Sequence, residues 1–445
     1  MDNPPAAPLI SIIMMNRPPL SNRKLLFTGA ALFALLNALP ALEPRLWISL
    51  DGRTIDAELI KTDGDIVELK DKEGRVLKVP KSSLSFGDLD YIAEYGPEEK
   101  KSSLGSKPAG KAKVPNPAKE MKFSPKSVKK DAGEIKLGTL SFQVTETPRF
   151  KILTSKGVDP MDTAELAERL WHDMAFFHAS FAGKFKDRRM AIILAEPEKD
   201  FTELGAWYVE ILNAAGNTEP AADLKSRWPN SSSSAINLPA DLAGQNGLLT
   251  EATVIRSAGR GAKPSPLVDS AKGVWAPFRT HTLAGHFLAL QAGGTSSFAK
   301  EGIFAIFTGH AFHKEIDLTG QTVTGILHQE TGKKTSAAGG YDNGKNWPGE
   351  LKRRIRKEEL KPSLITLFAS SSNDAQPDDL AMAYSFSRFL QSTPERHTAY
   401  SKLMERISTS RQVPDLDSIA KIYSLDDGPA LEKAWLAWVD SNDFR

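Results

Sequence analysis

Two histidines and one glutamate in the second half of the chain have side chains that can hold a metal ion. His281 and His286 lie in one predicted helix, 278–291, and Glu301 follows it. Imidazole nitrogens and carboxylates are common protein ligands of zinc, which can activate a bound water for hydrolysis. Metal-dependent hydrolysis is therefore the first chemistry to consider.

The spacing of the two histidines does not fit the hydrolytic motif His-Glu-x-x-His, whose histidines stand four residues apart with a general base between them. His281 and His286 are five apart, so at 3.6 residues per turn they point ~140° away from each other. With His286 as the second histidine, Thr282 and Leu283 take the first-histidine and glutamate positions. With His281 as the first, Thr282 and Gly285 take the glutamate and second-histidine positions. Neither register keeps the base or both ligands.

Two interpretations of Glu301 stay open. It is either an inherited carboxylate that lines a cleft and pairs with His286 or Lys300, or part of a residual metal site with His286. His310 and His313, three apart on the following helix, are further candidate ligands, but exposed histidines near a helix end are common.

Composition excludes several other classes of protein. The 445 residues are 40% apolar and 25% charged, which is typical of a globular chain, and include no cysteine, so thiolate zinc sites and disulfides are excluded. The net charge of +2 is concentrated in residues 1–41 and 97–134, and the rest is mildly acidic, so no nucleic-acid partner is expected. The glycine-rich segment 339–344 lacks the Lys-Ser/Thr ending of a phosphate loop and is predicted to be a surface loop.

Strands precede helices in the part of the chain that must position these residues. This order predicts an α+β domain with segregated halves. Strands are predicted over 140–144, 150–154, 190–195 and 248–257, a long loop region over 213–246, and helices over 163–181, 201–212, 278–291, 298–312, 381–390, 396–407, 416–423 and 429–439.

Residues 137–440 resemble the gluzincin-like metallopeptidases, in particular a peptidase-MA-like family of exported bacterial proteins. The matching segments are 147–152, 190–194 with Asp200-Phe201, 298–305, 383–390 and 431–435. The resemblance implies a zinc peptidase fold in which Glu301 occupies the third-ligand position. Because the His-Glu-x-x-His motif is not intact, we expect no catalytic residue and no cofactor, with His286, Glu301 and also His281 as candidates for a vestigial pocket.

The N-terminal region has the anatomy of an export signal. Arg17, Arg23 and Lys24 precede an apolar run over 25–36 and then small residues, which is typical of a secretory signal peptide over 1–41. The run is shorter than the ~20 apolar residues that span a bilayer, so no transmembrane segment is expected in the mature chain. The protein is therefore predicted to be periplasmic or extracellular.

Alternating apolar residues broken by glycine turns predict antiparallel hairpins within 42–96. This region resembles the SLA homology domain, an SH3-like β-barrel that binds short peptides in adaptor proteins. The matching residues are 45–47, 52–53, 55–59, Gly64, 67–69, Gly74, 79–80, 84–85 and 90–91. By that resemblance Trp47 is a candidate peptide-binding residue, although packing inside the barrel is the simpler interpretation. Residues 97–135, rich in lysine and proline, are predicted to be a linker able to contact anionic envelope polymers.

The predicted organisation is therefore a signal peptide, a small all-β SH3-like barrel, a linker, and a gluzincin-like α+β domain over 136–445. The function expected is protein or peptide binding, or association with the cell envelope, by an exported pseudoenzyme. The alternative is an active zinc-dependent peptidase with an atypical site that uses His286 and Glu301. A purely scaffolding large domain is a further possibility.

Export makes a direct prediction about processing. The mature protein should begin within residues 39–43, because the apolar run ends there and the first predicted strand follows. N-terminal sequencing of protein recovered outside the cytoplasm checks this, and an intact residue 1–38 segment on that protein would contradict it.

Overall fold

A computed structural model of the chain describes residues 44–96, 114–256, 275–294, 301–322, 325–327, 334–336, 341, 346–372 and 375–445. The predicted signal peptide over 1–41 and the first part of the predicted linker, 97–113, lie outside these residues. No helix in the described ranges is long and apolar enough to cross a membrane.

The first described segment folds into a four-stranded antiparallel sheet and one helix. The strands, in the spatial order β1-β2-β3-β4, are β1 (Arg45–Ile48), β2 (Thr54–Asp63), β3 (Ile66–Asp71) and β4 (Val76–Pro80). Alternate side chains point to the covered face, where Ala57, Val67 and Leu69 are fully buried. The antiparallel hairpins predicted from this alternation are confirmed.

Helix α1 (Phe86–Tyr95) is tied to this sheet by a buried carboxylate. The Ser85 side chain caps the helix by accepting a hydrogen bond from the Asp88 N–H. The Asp88 carboxylate accepts hydrogen bonds from the Ile48 N–H and the Ser85 hydroxyl and forms an ion pair with Arg45 at 3.0 Å. Burial raises the pKa of Asp88, and these partners oppose that effect.

A six-stranded mixed sheet forms the first half of the large domain, in the order β5-β6-β7-β8-β10-β9. Its neighbours β7, β8 and β10 are parallel, and the other pairs are antiparallel. The strands are β5 (Glu134–Leu137), β6 (Leu140–Glu146), β7 (Phe150–Thr154), β8 (Arg189–Ala195), β9 (Ser233–Asn237) and β10 (Leu248–Arg256).

Both faces of this sheet are buried. Ile192 and Leu194 of β8 face one hydrophobic core, and Ala191 and Ile193 face a second one. The helices of this half are α2 (Pro117–Glu120), α3 (Met161–Phe177), α4 (Ala179–Gly183), α5 (Glu198–Ala214), α6 (Thr218–Arg227) and α7 (Ala240–Gln245).

The long loop region predicted over 213–246 is wrong. Helix α6, strand β9 and helix α7 all lie within it. The buried Trp228 anchors this region, because its indole N–H donates to the Phe201 carbonyl and its ring stacks on the Phe201 ring. The serine-rich sequence of β9 carries no alternation, so its pairing with β10 was not visible from composition.

The C-terminal half is largely helical. Its helices are α8 (Trp275–Gln291), α9 (Gly309–Thr319), α10 (Trp347–Arg356), α11 (Leu364–Ala369), α12 (Pro377–Leu390), α13 (Pro394–Ser410), α14 (Leu416–Ile422) and α15 (Gly428–Asp440), with a π-helical turn at Phe304–Thr308 and a short hairpin of β11 (Gly325–Leu327) and β12 (Lys334–Ser336). Helices α10 and α11 were not predicted. Of the helix predicted over 298–312, residues 298–300 lie outside the described ranges, and the rest includes the π-helical turn followed by α9. The helix predicted over 163–181 ends at Phe177 and resumes as α4.

The segment predicted as a surface loop, 339–344, includes a core residue. Tyr341 is fully buried and donates a hydrogen bond from its hydroxyl to the Asp378 carboxylate. It packs against Trp347 at the start of α10. The other residues of that segment lie outside the described part of the chain.

The small sheet packs directly on the large domain. The Phe86 ring of α1 lies 5.2 Å from the Phe177 ring of α3, and Ile48 belongs to the same hydrophobic core as Phe177. His172 of α3 shares a hydrogen bond with the Leu50 carbonyl. The described residues from 44 onward form one compact unit.

The predicted linker over 97–135 is too long at its C-terminal end. Ala118 of α2 is buried, and the Arg169 guanidinium donates to the carbonyls of Ala118 and Met121. Lysine content misled the prediction, because lysine heads stay in water while the backbone between them packs.

Removing the Phe86 ring should test whether the small sheet and the large domain are stabilised together. We expect Phe86→Ala to lower the free energy of unfolding by about 2 kcal/mol, less than the ~3–5 kcal/mol of a fully buried phenylalanine, because the ring is partly exposed. Urea denaturation measures this change. Tyr95→Ala, at the half-exposed end of the same helix, is the matched control and should change stability by ~0.5 kcal/mol or less. Equal effects of the two variants would show that the contact contributes little.

Candidate functional site

His286 of α8 faces the mixed sheet. Its Nδ1 atom lies 2.9 Å from the Thr253 hydroxyl of β10, and Thr253 is fully buried. Burial, and secondarily the nearby His281 ring, lower the pKa of His286 to about 4. His286 is therefore a neutral, hydrogen-bonded imidazole near pH 7.

His281 faces the opposite neighbour of α8. Its Nδ1 atom lies 3.0 Å from a carboxylate oxygen of Glu315 in α9, and Glu315 is fully buried. The ring also contacts Phe312 edge-on, with the ring centroids 4.5 Å apart. As the five-residue spacing predicts, the two histidines of α8 engage different elements.

With His286 as the second histidine of the hydrolytic motif, the positions of the first histidine and of the general base hold residues that cannot perform those roles. Leu283, at the place of the general base, is fully buried and belongs to the main hydrophobic core. Thr282, at the place of the first histidine, approaches the Ser233 hydroxyl of β9 at 3.4 Å. Neither side chain can accept a proton from water at neutral pH.

Glu301 lies on a different surface of the protein. The adjacent Gly302 has φ +73°, and its N–H donates to the Phe368 carbonyl of α11. A Cβ atom at position 302 would lie 2.7 Å from the Val413 side chain, so this close approach requires glycine. The contact places Glu301 at the edge of a groove in the helical half.

This groove, which we call the α11–α14 groove, has a volume of about 660 Å³. Its apolar surface includes Ile365, which is 73% exposed although isoleucine usually packs inside. The groove is lined by Glu301, Ile365, Phe368, Arg406, Ser410, Gln412, Val413, Pro414, Asp415, Leu416, Asp417, Ser418, Gly428, Pro429 and Glu432. Neither His281 nor His286 is among these residues.

Three of the groove's carboxylates are held by backbone donors. Asp415 accepts a hydrogen bond from the N–H of Ser418 at the start of α14, which lowers the pKa of its carboxyl group. Asp417 accepts from the Gly428 N–H at 2.7 Å, and Glu432 accepts from the Leu364 N–H at 2.6 Å. These bonds fix the positions of the charges without neutralising them.

His310 and His313 were expected to be exposed or to be further ligands. The structure instead buries His310, whose Nδ1 atom lies 3.4 Å from the Tyr400 hydroxyl, and places His313 near Ser387 of α12. Both adjoin Lys314 on α9, whose ammonium group forms a buried ion pair with Asp173 at 2.6 Å. The exposed-histidine interpretation is therefore wrong, because this face of α9 packs against α12 and not against water.

Trp47 is a core residue of the small sheet. It is 1% exposed, its indole N–H donates to the Ala57 carbonyl, and its ring meets Tyr91 edge-on. The structure therefore favours the packing interpretation of Trp47 over a peptide-contacting one.

The zinc that the gluzincin resemblance implies does not fit the described residues. Within the described ranges, no three histidine, aspartate or glutamate side chains are grouped so that they could hold a metal ion. His286 and His281 are each engaged by a protein partner, and Glu301 lines the separate groove. The described residues therefore support no metal-dependent step.

The groove is what sequence reasoning missed. Glu301 was singled out, but the residues that line the groove with it come from α11, α13, the segment between α13 and α14, α14 and α15. The four apolar residues Leu364, Ile365, Leu367 and Phe368 were the available signal, but a run this short does not distinguish strand from helix.

No family model matches the chain, and no curated protein or solved structure matches it. Its function is therefore inferred from its own residues and their arrangement.

The half-buried His286 predicts a loss of stability in acid. Because its folded pKa of about 4 lies below the ~6.5 of an unfolded histidine, the unfolded chain binds more protons between these values. The free energy of unfolding should fall as the pH drops from 6.5 to 4. We expect His286→Gln to reduce this slope by up to ~1.4 kcal/mol per pH unit, measured by urea denaturation across that range.

Thr253→Val is the control for that experiment. It removes the hydrogen-bond partner but leaves the imidazole in its half-buried position, so it should lower stability at every pH and keep the slope. An unchanged slope in His286→Gln would show that His286 does not contribute to the acid sensitivity.

Proposed function

We propose that this chain is an exported protein-binding protein whose large domain is a catalytically degenerate, gluzincin-like module. The single observation that carries this proposal is the α11–α14 groove, a concave surface of about 660 Å³ with an isoleucine, Ile365, 73% exposed within it. Exposed apolar groups in a concave setting are typical of sites that bind a peptide or protein segment.

The order of elements supports the two proposed families. A mixed sheet followed by a largely helical half fits a gluzincin-like domain, and a four-stranded antiparallel sheet closed by a helix fits an SLA homology domain with an SH3-like fold. The packing of the small sheet on α3 supports a role in stabilising the large domain, in addition to any peptide binding by the small sheet itself.

The chemistry of α8 supports degeneracy. A positioned general base contributes ~10²–10⁴-fold to hydrolysis, and the residue at that position is the core leucine Leu283. Restoring glutamate there would bury an unpaired carboxylate in the apolar core, so the present sequence favours packing of α8 over catalysis.

The proposal is tested with peptides selected from a random displayed library on the mature protein. We expect Ile365→Ser to raise the Kd of the selected peptides at least about tenfold, since losing the contact of a buried isoleucine is worth roughly 1.5 kcal/mol or more. Isothermal titration calorimetry measures the Kd. The exposed position of Ile365 means that this substitution should leave the fold intact.

Ile60→Ser is the matched control, because Ile60 is also exposed, at 41%, but lies on the small sheet away from the groove-lining residues. It should leave the Kd unchanged. Equal binding by both variants would contradict the proposal. Stoichiometric zinc together with chelator-sensitive peptide cleavage that His286→Ala abolishes would establish the alternative, an active peptidase.

A further inference from the structure

The α11–α14 groove is acidic although the chain as a whole is not. Four carboxylates line it, from Glu301, Asp415, Asp417 and Glu432, against one guanidinium, that of Arg406, giving a formal charge of −3. The whole chain carries +2. The charge of the groove is therefore a local property and not a sample of the general surface.

Backbone N–H groups, and not paired side-chain cations, orient most of these carboxylates. In the described part of the chain, none of the four forms an ion pair, and three of them are held by the backbone N–H groups of Ser418, Gly428 and Leu364. Backbone donors orient a carboxylate but leave its negative charge in place. An arriving cation would therefore find charges that are already oriented, with little further ordering to lose.

The groove also offers an apolar surface between the charges. Ile365, Phe368, Val413, Pro414 and Leu416 all line it. A hydrated metal ion or a small polyamine has no side chain to place there. Lysine and arginine combine an apolar stem with a charged head, and neighbouring aliphatic residues would cover the rest of the surface.

We propose that the groove selects a basic, amphipathic peptide segment, in which lysine or arginine residues alternate with aliphatic ones. This inference rests on the proposed function, since it names the ligand class of the same groove. The aliphatic side chains cover Ile365 and its apolar neighbours, and the cationic heads meet Glu301 and the oriented carboxylates of α14 and α15. Selectivity arises mainly from charge complementarity, and affinity mainly from the apolar contact.

The test compares three fluorescein-labelled heptapeptides that share leucine at alternate positions and carry lysine, glutamine or glutamate at the others. We expect fluorescence anisotropy with the mature protein to give a Kd at least about tenfold lower for the lysine peptide than for the glutamine peptide. The glutamate peptide should bind weakest. The preference for lysine should shrink between 25 and 300 mM NaCl, because salt screens exposed charges.

Glu301→Gln removes one negative charge from the groove and keeps the size of the side chain. It should weaken the lysine peptide roughly twofold to fivefold, which is the range of an exposed ion pair, and leave the glutamine peptide unchanged. Glu210→Gln, an exposed carboxylate on α5, is the matched control and should change neither.

Failure of this inference is distinguishable from failure of the proposed function. Equal binding of all three peptides, weakened by Ile365→Ser, would overturn charge selection and keep peptide binding. Binding that Ile365→Ser does not affect would overturn both. Saturable 1:1 binding of Ca²⁺ or Mg²⁺ alone that displaces the lysine peptide would also overturn the inference, because the carboxylates would then be a cation site.

Discussion

The packing of α8 into the main hydrophobic core, through Leu283, Phe287 and Leu288, fixes how this helix is rotated about its own axis, and much of the helical half depends on that rotation. With the His286 ring against β10, the 100° step per residue turns Leu283 into the core and His281 toward α9. Glu315 of α9 is buried by the same packing and holds His281. The five-residue spacing makes the two histidines diverge, and this packing of α8 gives each of them a different partner.

A second constraint, close packing at Gly302, separates Glu301 from α8. The approach of this glycine to Val413 and Phe368 joins the start of the π-helical turn to α11 and to the segment before α14. Hydrogen bonds from Leu364 to Glu432 and from Gly428 to Asp417 then join α11 to α15 and α15 to α14 along the α11–α14 groove. Structure-stabilising contacts and the proposed binding surface are therefore built from the same residues.

The sequence pattern predicted β7, β8 and β10, which are largely apolar and buried on both faces, and most of the longer helices, which have a buried face. It failed for β9, which is polar, and for α6 and α10, which bury few side chains: Ala221 and Leu224 in α6, Trp347 and Leu351 in α10. Such elements leave a weak pattern, because their position is decided by the surfaces they pack against. For the same reason, the lysine-rich sequence over 114–135 gave no signal for the packed helix α2 within it.

The sequence by itself determined that His281 and His286 diverge and that no general base stands between them, because both follow from helix geometry over a few residues. Only the tertiary structure decided where Glu301 lies and which side chains surround it. Its neighbours Ile365, Val413 and Glu432 are distant in sequence, and no local pattern specifies which of them meet. Their meeting depends on long-range packing of separate helices, which the chain acquires only when its core closes.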